Sequence, residues 1–327
     1  METFFRTNEL KILEKDLKID VEKMLVDLST IEHIFLTEYE GEINVEIEEQ
    51  KIDRYYSKLK KTKKPNDAQF SRLMNSFAYY YGLQRNEYKN LLKEEKGLYR
   101  ANNNNPGISK FDLYKNALLN FECSLLNLLL CLVENVDELD KRSKKLVGIF
   151  ESCQAEKHPL GLMNEVKKVR EILLDSKLYY PIVRFSVNER IFNDTLKRYT
   201  PELLHFVCHG EINGDIALVN GNATGMKYMS PGVFVNTIKK HYGKTLIDFI
   251  YINSCYSDRF VDKISSSIRT KINIDYALSY KGINNNNYAT IFSKLFYDQL
   301  SLTNTDIFTN YCKVKSLMSS TDMLNYI

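Results

Sequence analysis

Two side chains in this sequence have the chemistry to generate a nucleophile together, His209 and Cys255. An imidazole can take a thiol proton near neutral pH, and the resulting thiolate attacks carbonyl carbon. Each stands at the end of an apolar run. Leu203-Leu204-His205-Phe206-Val207-Cys208 stops on His209-Gly210-Glu211, and Leu246-Ile247-Asp248-Phe249-Ile250-Tyr251-Ile252-Asn253 stops on Ser254-Cys255-Tyr256-Ser257. Runs of this composition read as parallel strands buried on both faces. Chemistry in open parallel sheets collects beyond the carboxyl ends of the strands. If the two strands are neighbours, base and thiol meet at one sheet edge, the minimum for a cysteine protease site.

The elements needed to build that edge are present in the second half of the chain. Strands are expected at Leu146–Phe150, Pro181–Val187, Leu203–Cys208, Leu246–Asn253 and Ile274–Tyr280. Between them lie helical stretches near 162–175, 189–198, 231–242, 259–267 and 289–300, and a hairpin or flap over 214–228. The helix at 162–175 is read with Glu165, Lys167, Lys168, Arg170 and Glu171 facing outward, and His205 as a packing residue. Alternating strands and helices imply right-handed crossovers and one mostly parallel sheet between helical layers.

The first half reads differently. Apolar residues recur at helical spacing over Asn8–Leu28. Asp67–Lys96 reads as a helix capped by Asn66 or Asp67 and stopped by Gly97, and a third helix runs from a Ser109 cap to Val136. Ile43, Val45 and Ile47 suit a short strand or the start of a helix, and Ala101–Gly107 is a loop. The expected organisation is a mainly helical domain over 1–142 and an α/β domain over 143–327. A chain of 327 residues exceeds the size at which one core keeps growing, about 250–300 residues.

Composition removes several function classes. A net charge of +3 from 45 basic and 42 acidic residues is no nucleic-acid footprint. The lysines from Lys58 to Lys64 are expected to form a solvated loop rather than a direct nucleic-acid contact. Six cysteines without C-x-x-C spacing form neither a disulfide framework nor a zinc pattern, so no metal and no cofactor are expected. Apart from Cys255 they read as buried thiols. The N-terminus lacks a signal-peptide core, and Leu125–Val133 is short of the roughly 18 residues of a membrane span, so a cytoplasmic protein with no membrane partner is expected.

From about Val147 to Leu300 the sequence resembles the caspase-like CHAT family of bacterial peptidases, in the clan of caspases, metacaspases and separases. The similarity is carried by Leu146–Phe150, by Glu165–Leu173, by Thr195–Phe206 leading to Cys208-His209-Gly210-Glu211, by Ile252–Ser257 and by Tyr288–Tyr297. Cys255 follows His209 by 46 residues, near the roughly 50 of caspase-type sites. The resemblance implies a caspase-like fold, His209 as general base, Cys255 as nucleophile, and the N–H groups of Gly210 and Cys255 as oxyanion donors. It also implies a protein substrate, an activating or inhibitory partner on the helical half, and a role in antiviral defence or cell death. Where metacaspases carry an Asp two residues before the cysteine, this chain has Asn253, which weakens any metacaspase-like choice of basic side chains. Glu211 and Asp258 are the remaining charged candidates for substrate binding. Ser279, in Ala277–Gly282, marks the strand edge against which a peptide would add. The alternative is a catalytically silent scaffold of the same fold.

Overall fold

A computed structural model describes residues 4–36, 43–62, 67–95, 98–99, 110–136, 143–152, 159–220, 226–243, 245–268, 274–283, 286–302, 306–318 and 324–326. The chain divides into two compact units, Met1–Val136 and Asp137–Ile327. The expected 142/143 boundary, the Ser109 cap, the Gly97 stop and the Ala101–Gly107 loop fall outside the described residues.

The first unit contains α1 (Thr7–Leu17), α2 (Val21–Leu36), α3 (Val45–Leu59), α4 (Ala68–Glu95) and α5 (Lys110–Val136). It also contains a short antiparallel pair, β1 (Ile43–Asn44) with β2 (Leu98–Tyr99). The single helix expected over Asn8–Leu28 is two helices. Lys18 takes a left-handed conformation (φ 55°) that ends α1, and the Asp20 carboxylate accepts from the Lys23 N–H at 2.8 Å to start α2. Asp67 caps α4 as expected, accepting from the Gln69 and Phe70 N–H groups. Helices α4 and α5 run antiparallel, shown by the ring pairs Phe77–Phe121 and Tyr88–Tyr114. Within α5, Asp112–Asn135 is long and apolar enough to cross a membrane, which the continuous Leu125–Val133 run alone does not convey. Its most apolar window is 83% buried, so within this unit it serves as a core helix.

The second unit is α/β. Its strands are β3 (Lys145–Ser152), β4 (Tyr179–Arg184), β5 (Leu203–Cys208), β6 (Ile216–Val219), β7 (Met226–Met229), β8 (Ile247–Asn253), β9 (Ile274–Tyr280) and β10 (Leu324–Tyr326). Its helices are α6 (Pro159–Asp175), α7 (Glu189–Tyr199), α8 (Pro231–Tyr242), α9 (Ser257–Ile268), α10 (Asn286–Leu302) and α11 (Ile307–Leu317). The sheet order is β10-β9-β8-β5-β3-β4, with β9, β8, β5, β3 and β4 mutually parallel and β10 antiparallel at the edge. Period-2 alternation sends Leu204, Phe206, Ile250 and Ile252 into a core with Phe192, Phe234 and Phe260 of α7, α8 and α9. His205, Phe249 and Tyr251 face the other way, onto Tyr297, Phe296 and Phe292 of α10.

The structure departs from four of the sequence expectations. Glu165 and Arg170 do not face outward: both are buried, because α6 is covered by α10 as well as by the sheet. The edge of β9 is not open to a peptide, since β10 pairs with it at Leu278, Ser279 and Tyr280. Strand β4 ends at Arg184, where the chain turns through Ser186 at φ 46° before the Asn188 cap of α7. Finally, Cys312 is exposed on α11.

Candidate active site

The register between β5 and β8 brings the two motifs together. Val207 pairs with Asn253, so His209 and Cys255 each leave the sheet two residues beyond one level of adjacent strands. Contact between the motifs is made by backbone. A Cβ added to Gly210 would sit 2.0 Å from the Cys255 carbonyl oxygen and 2.9 Å from the Ser254 hydroxyl. Only a residue without a side chain lets these backbones meet.

Gly210 also pairs with Ile216 in an antiparallel bridge. The bridging hydrogen bonds belong to its neighbours: Ala217 N–H donates to the His209 carbonyl (2.8 Å) and Glu211 N–H to the Asp215 carbonyl (2.9 Å). In such a non-hydrogen-bonded pair the residue's own N–H points away from the partner strand. The Gly210 N–H is thereby kept out of the hairpin pairing, as an oxyanion donor requires.

The turn after β8 is tightly specified. Cys255 is half-buried, and Tyr256 adopts φ 54° while donating its N–H to the Gly282 carbonyl at 2.7 Å. The Ser257 hydroxyl lies 2.9 Å from the carbonyls of Ile252 and Ser254 and accepts from the Tyr280 N–H at 2.9 Å. One side chain therefore fastens the end of β8, the start of α9 and the end of β9. Cys255 stands two residues ahead of α9, at the helix end whose partial positive charge favours an anion. Helix α9 also grips the loop after His209. Arg259 donates to the Ile212 carbonyl, Lys263 to the Asn213 carbonyl (2.6 Å), and Gly214 packs on Arg259 at φ 87°.

The two cysteines at this edge differ sharply in environment. Cys208 is buried, and burial pushes its thiol up to about 12, only partly offset by the neighbouring Ser254 hydroxyl. It is a protonated core thiol at neutral pH, whereas Cys255 is partly open to solvent.

The other expected site residues divide into two sets. Glu211 is half-buried beside the site, and Tyr228 of β7 donates to its carboxylate, which raises the phenol. Asp258 lies in the first turn of α9, with one carboxylate oxygen enclosed and accepting no hydrogen bond. Asn253 and Ser279, by contrast, are turned into the protein. Asn253 is 2% exposed and its amide donates to Glu165 at 2.6 Å, while Ser279 is fully buried between Ile252 and Asn325 in the sheet. Neither lines the surface beside Cys255, because both lie on paired strands that helices cover.

Sequence reasoning missed Glu165, Tyr228 and Ser257. A signal for Glu165 exists: Glu165, Val169 and Leu173 stand four residues apart, the spacing of a buried stripe. Ser257 has the ordinary signature of a helix-start serine, whose partners here come from two strands. Among the described residues, no cluster of His, Cys, Asp or Glu is disposed to hold a metal ion. The chain matches no known family and no curated protein at a significant level.

Proposed function

We propose that the second unit is a caspase-like cysteine endopeptidase with His209 as general base and Cys255 as nucleophile. The observation that carries this reading is the backbone contact of Gly210 with Cys255 at the ends of adjacent parallel strands. His209 takes the Cys255 proton, and the thiolate attacks the scissile carbonyl carbon. Negative charge gathers on the carbonyl oxygen, where the Gly210 and Cys255 N–H groups stabilise it. The imidazolium returns its proton to the leaving amine, the C–N bond breaks, and a thioester remains. Water, deprotonated by His209, attacks that thioester and restores the thiol. Glu211 and Asp258, next in sequence to the two motifs, are the charged residues proposed to bear on substrate choice.

In this reading the helical Met1–Val136 unit is a docking element for a regulatory protein, and the chain acts on a protein substrate in a defence or cell-death system. The test is co-expression of wild type, Cys255→Ala and His209→Ala with proteins encoded beside it, with cut products identified by mass spectrometry. Cleavage by wild type alone supports a peptidase. Identical behaviour of three folded proteins removes it and leaves a scaffold.

A further inference from the structure

The carboxylate of Glu165 is fully buried on α6, yet it reaches both strands that end in the candidate pair, β5 and β8, and helix α10. Its Oε2 accepts from the Asn253 amide at 2.6 Å, at the last residue of β8. Its Oε1 accepts from the Ser293 hydroxyl of α10 at 2.7 Å and lies 3.3 Å from His205 Nε2 of β5. The His205 ring stacks on Tyr251 at 4.5 Å and on Tyr297 at 5.5 Å. Ser293 in turn lies 3.2 Å from the Tyr251 hydroxyl, which is 3.0 Å from that of Tyr280.

A buried carboxylate is costly, and apolar residues of similar volume often serve stability equally well or better. At position 165 a leucine would continue the stripe of Val169 and Leu173. The glutamate supplies what a leucine cannot, directional contacts at fixed places in the sheet. Those places are informative: Asn253 precedes Cys255 by two residues, and His205 precedes His209 by four. We propose that Glu165 is a positioning residue, holding the end of β8 through Asn253 and thereby setting the height and direction of Cys255. The proposal rests on the His209–Cys255 reading and adds to it a support beneath the sheet. The titratable groups facing Glu165 are His205 of β5, Tyr251 of β8, Tyr280 of β9 and Tyr297 of α10.

The test uses the purified full chain and needs no substrate. Alkylation of Cys255 by iodoacetamide is followed by peptide mapping from about pH 5 to 9, beside melting temperatures. Asn253→Asp sets two carboxylates against each other and Glu165→Leu removes the acceptor, and each is expected to slow alkylation about tenfold at neutral pH and to move the pH profile. Glu165→Gln combined with Asn253→Asp restores the pair with donor and acceptor exchanged, and is expected to return to within about threefold of the wild-type rate. If Glu165→Leu does not fold, Ser293→Ala loosens the same carboxylate and should slow alkylation in the same direction. Variants that melt lower but alkylate with the wild-type rate and profile would make Glu165 a stabilising residue only, and overturn the proposal. A double variant no faster than Asn253→Asp overturns it too. His209→Ala separates the two claims. If it alkylates like wild type, the dyad reading itself fails. If it is slow while Glu165→Leu is normal, the dyad stands and the role of Glu165 falls.

Discussion

Substituting Gly210 by alanine tests the backbone contact at the centre of this account. The added Cβ would lie 2.0 Å from the Cys255 carbonyl oxygen, where real contacts essentially never fall below 3.0 Å. Both partners are main chain, so no rotamer change relieves the clash, and the two strand ends must separate by at least about 1 Å. Overpacking of this kind costs about 1–3 kcal/mol. In a unit of this size that lowers the melting temperature by about 2–4 °C per kcal/mol. The effect on chemistry adds to this: a Cys255 moved off His209 reacts as an ordinary thiol, only a few per cent thiolate at pH 7, which slows its alkylation about tenfold. Gly232→Ala is the matched control. It lies on α8, where the new Cβ meets only the Ser230 hydroxyl oxygen at 4.0 Å. Thermal melts and Cys255 alkylation rates at neutral pH should show Gly210→Ala folded, less stable and about tenfold slower, with Gly232→Ala as reactive as wild type. Wild-type stability and reactivity in Gly210→Ala would refute the contact.

The other predictions concern stability. Gly82→Ala, exposed within α4 with open space around its Cβ, should stabilise the first unit by about 0.5–1 kcal/mol through helix propensity, measured by urea denaturation. Asn188→Ala removes the acceptor for the Ile191 N–H at the start of α7 and should cost about 1 kcal/mol, whereas Asn188→Ser should retain most of the cap. Burial raises both the Cys208 thiol and the Tyr80 phenol to about 12. Unfolding therefore releases protons in alkaline solution. The stability these neutral groups support is intact below their ordinary values and is lost as pH rises toward about 12. Melting temperatures that stay level between about pH 9 and 12 would contradict this.

Much of the second unit is legible in sequence because its strands are continuous apolar runs and its helices carry ordinary caps. Leu203–Cys208, Ile247–Asn253 and Ile274–Tyr280 lie within one residue of their expected limits. Asn188 and Pro231 mark helix starts, Asn as a side-chain cap and Pro at the first helical position. What local patterns miss is contact between distant segments. Glu165 looks solvent-facing beside Lys167 and Lys168, and only the packing of α10 on α6 encloses it. Asn253 looks like a substrate residue from its distance to Cys255, but strand alternation sends its side chain to the α6 face. The three-residue β10 has no periodicity to detect, and its pairing with β9 closes an edge that Ser279 seemed to offer. In the first unit, one apolar spacing runs unbroken across α1 and α2, and the left-handed turn at Lys18 leaves no mark on it.

The catalytic pair admits one direct measurement. The rate of Cys255 alkylation by iodoacetamide, resolved by peptide mapping, should be compared between wild type and His209→Ala from about pH 5 to 9. Cys255 is expected to outpace Cys208 in the wild type, and loss of His209 to slow Cys255 and change its pH profile while the fold persists. A folded His209→Ala protein with an unchanged Cys255 rate at every pH would contradict it.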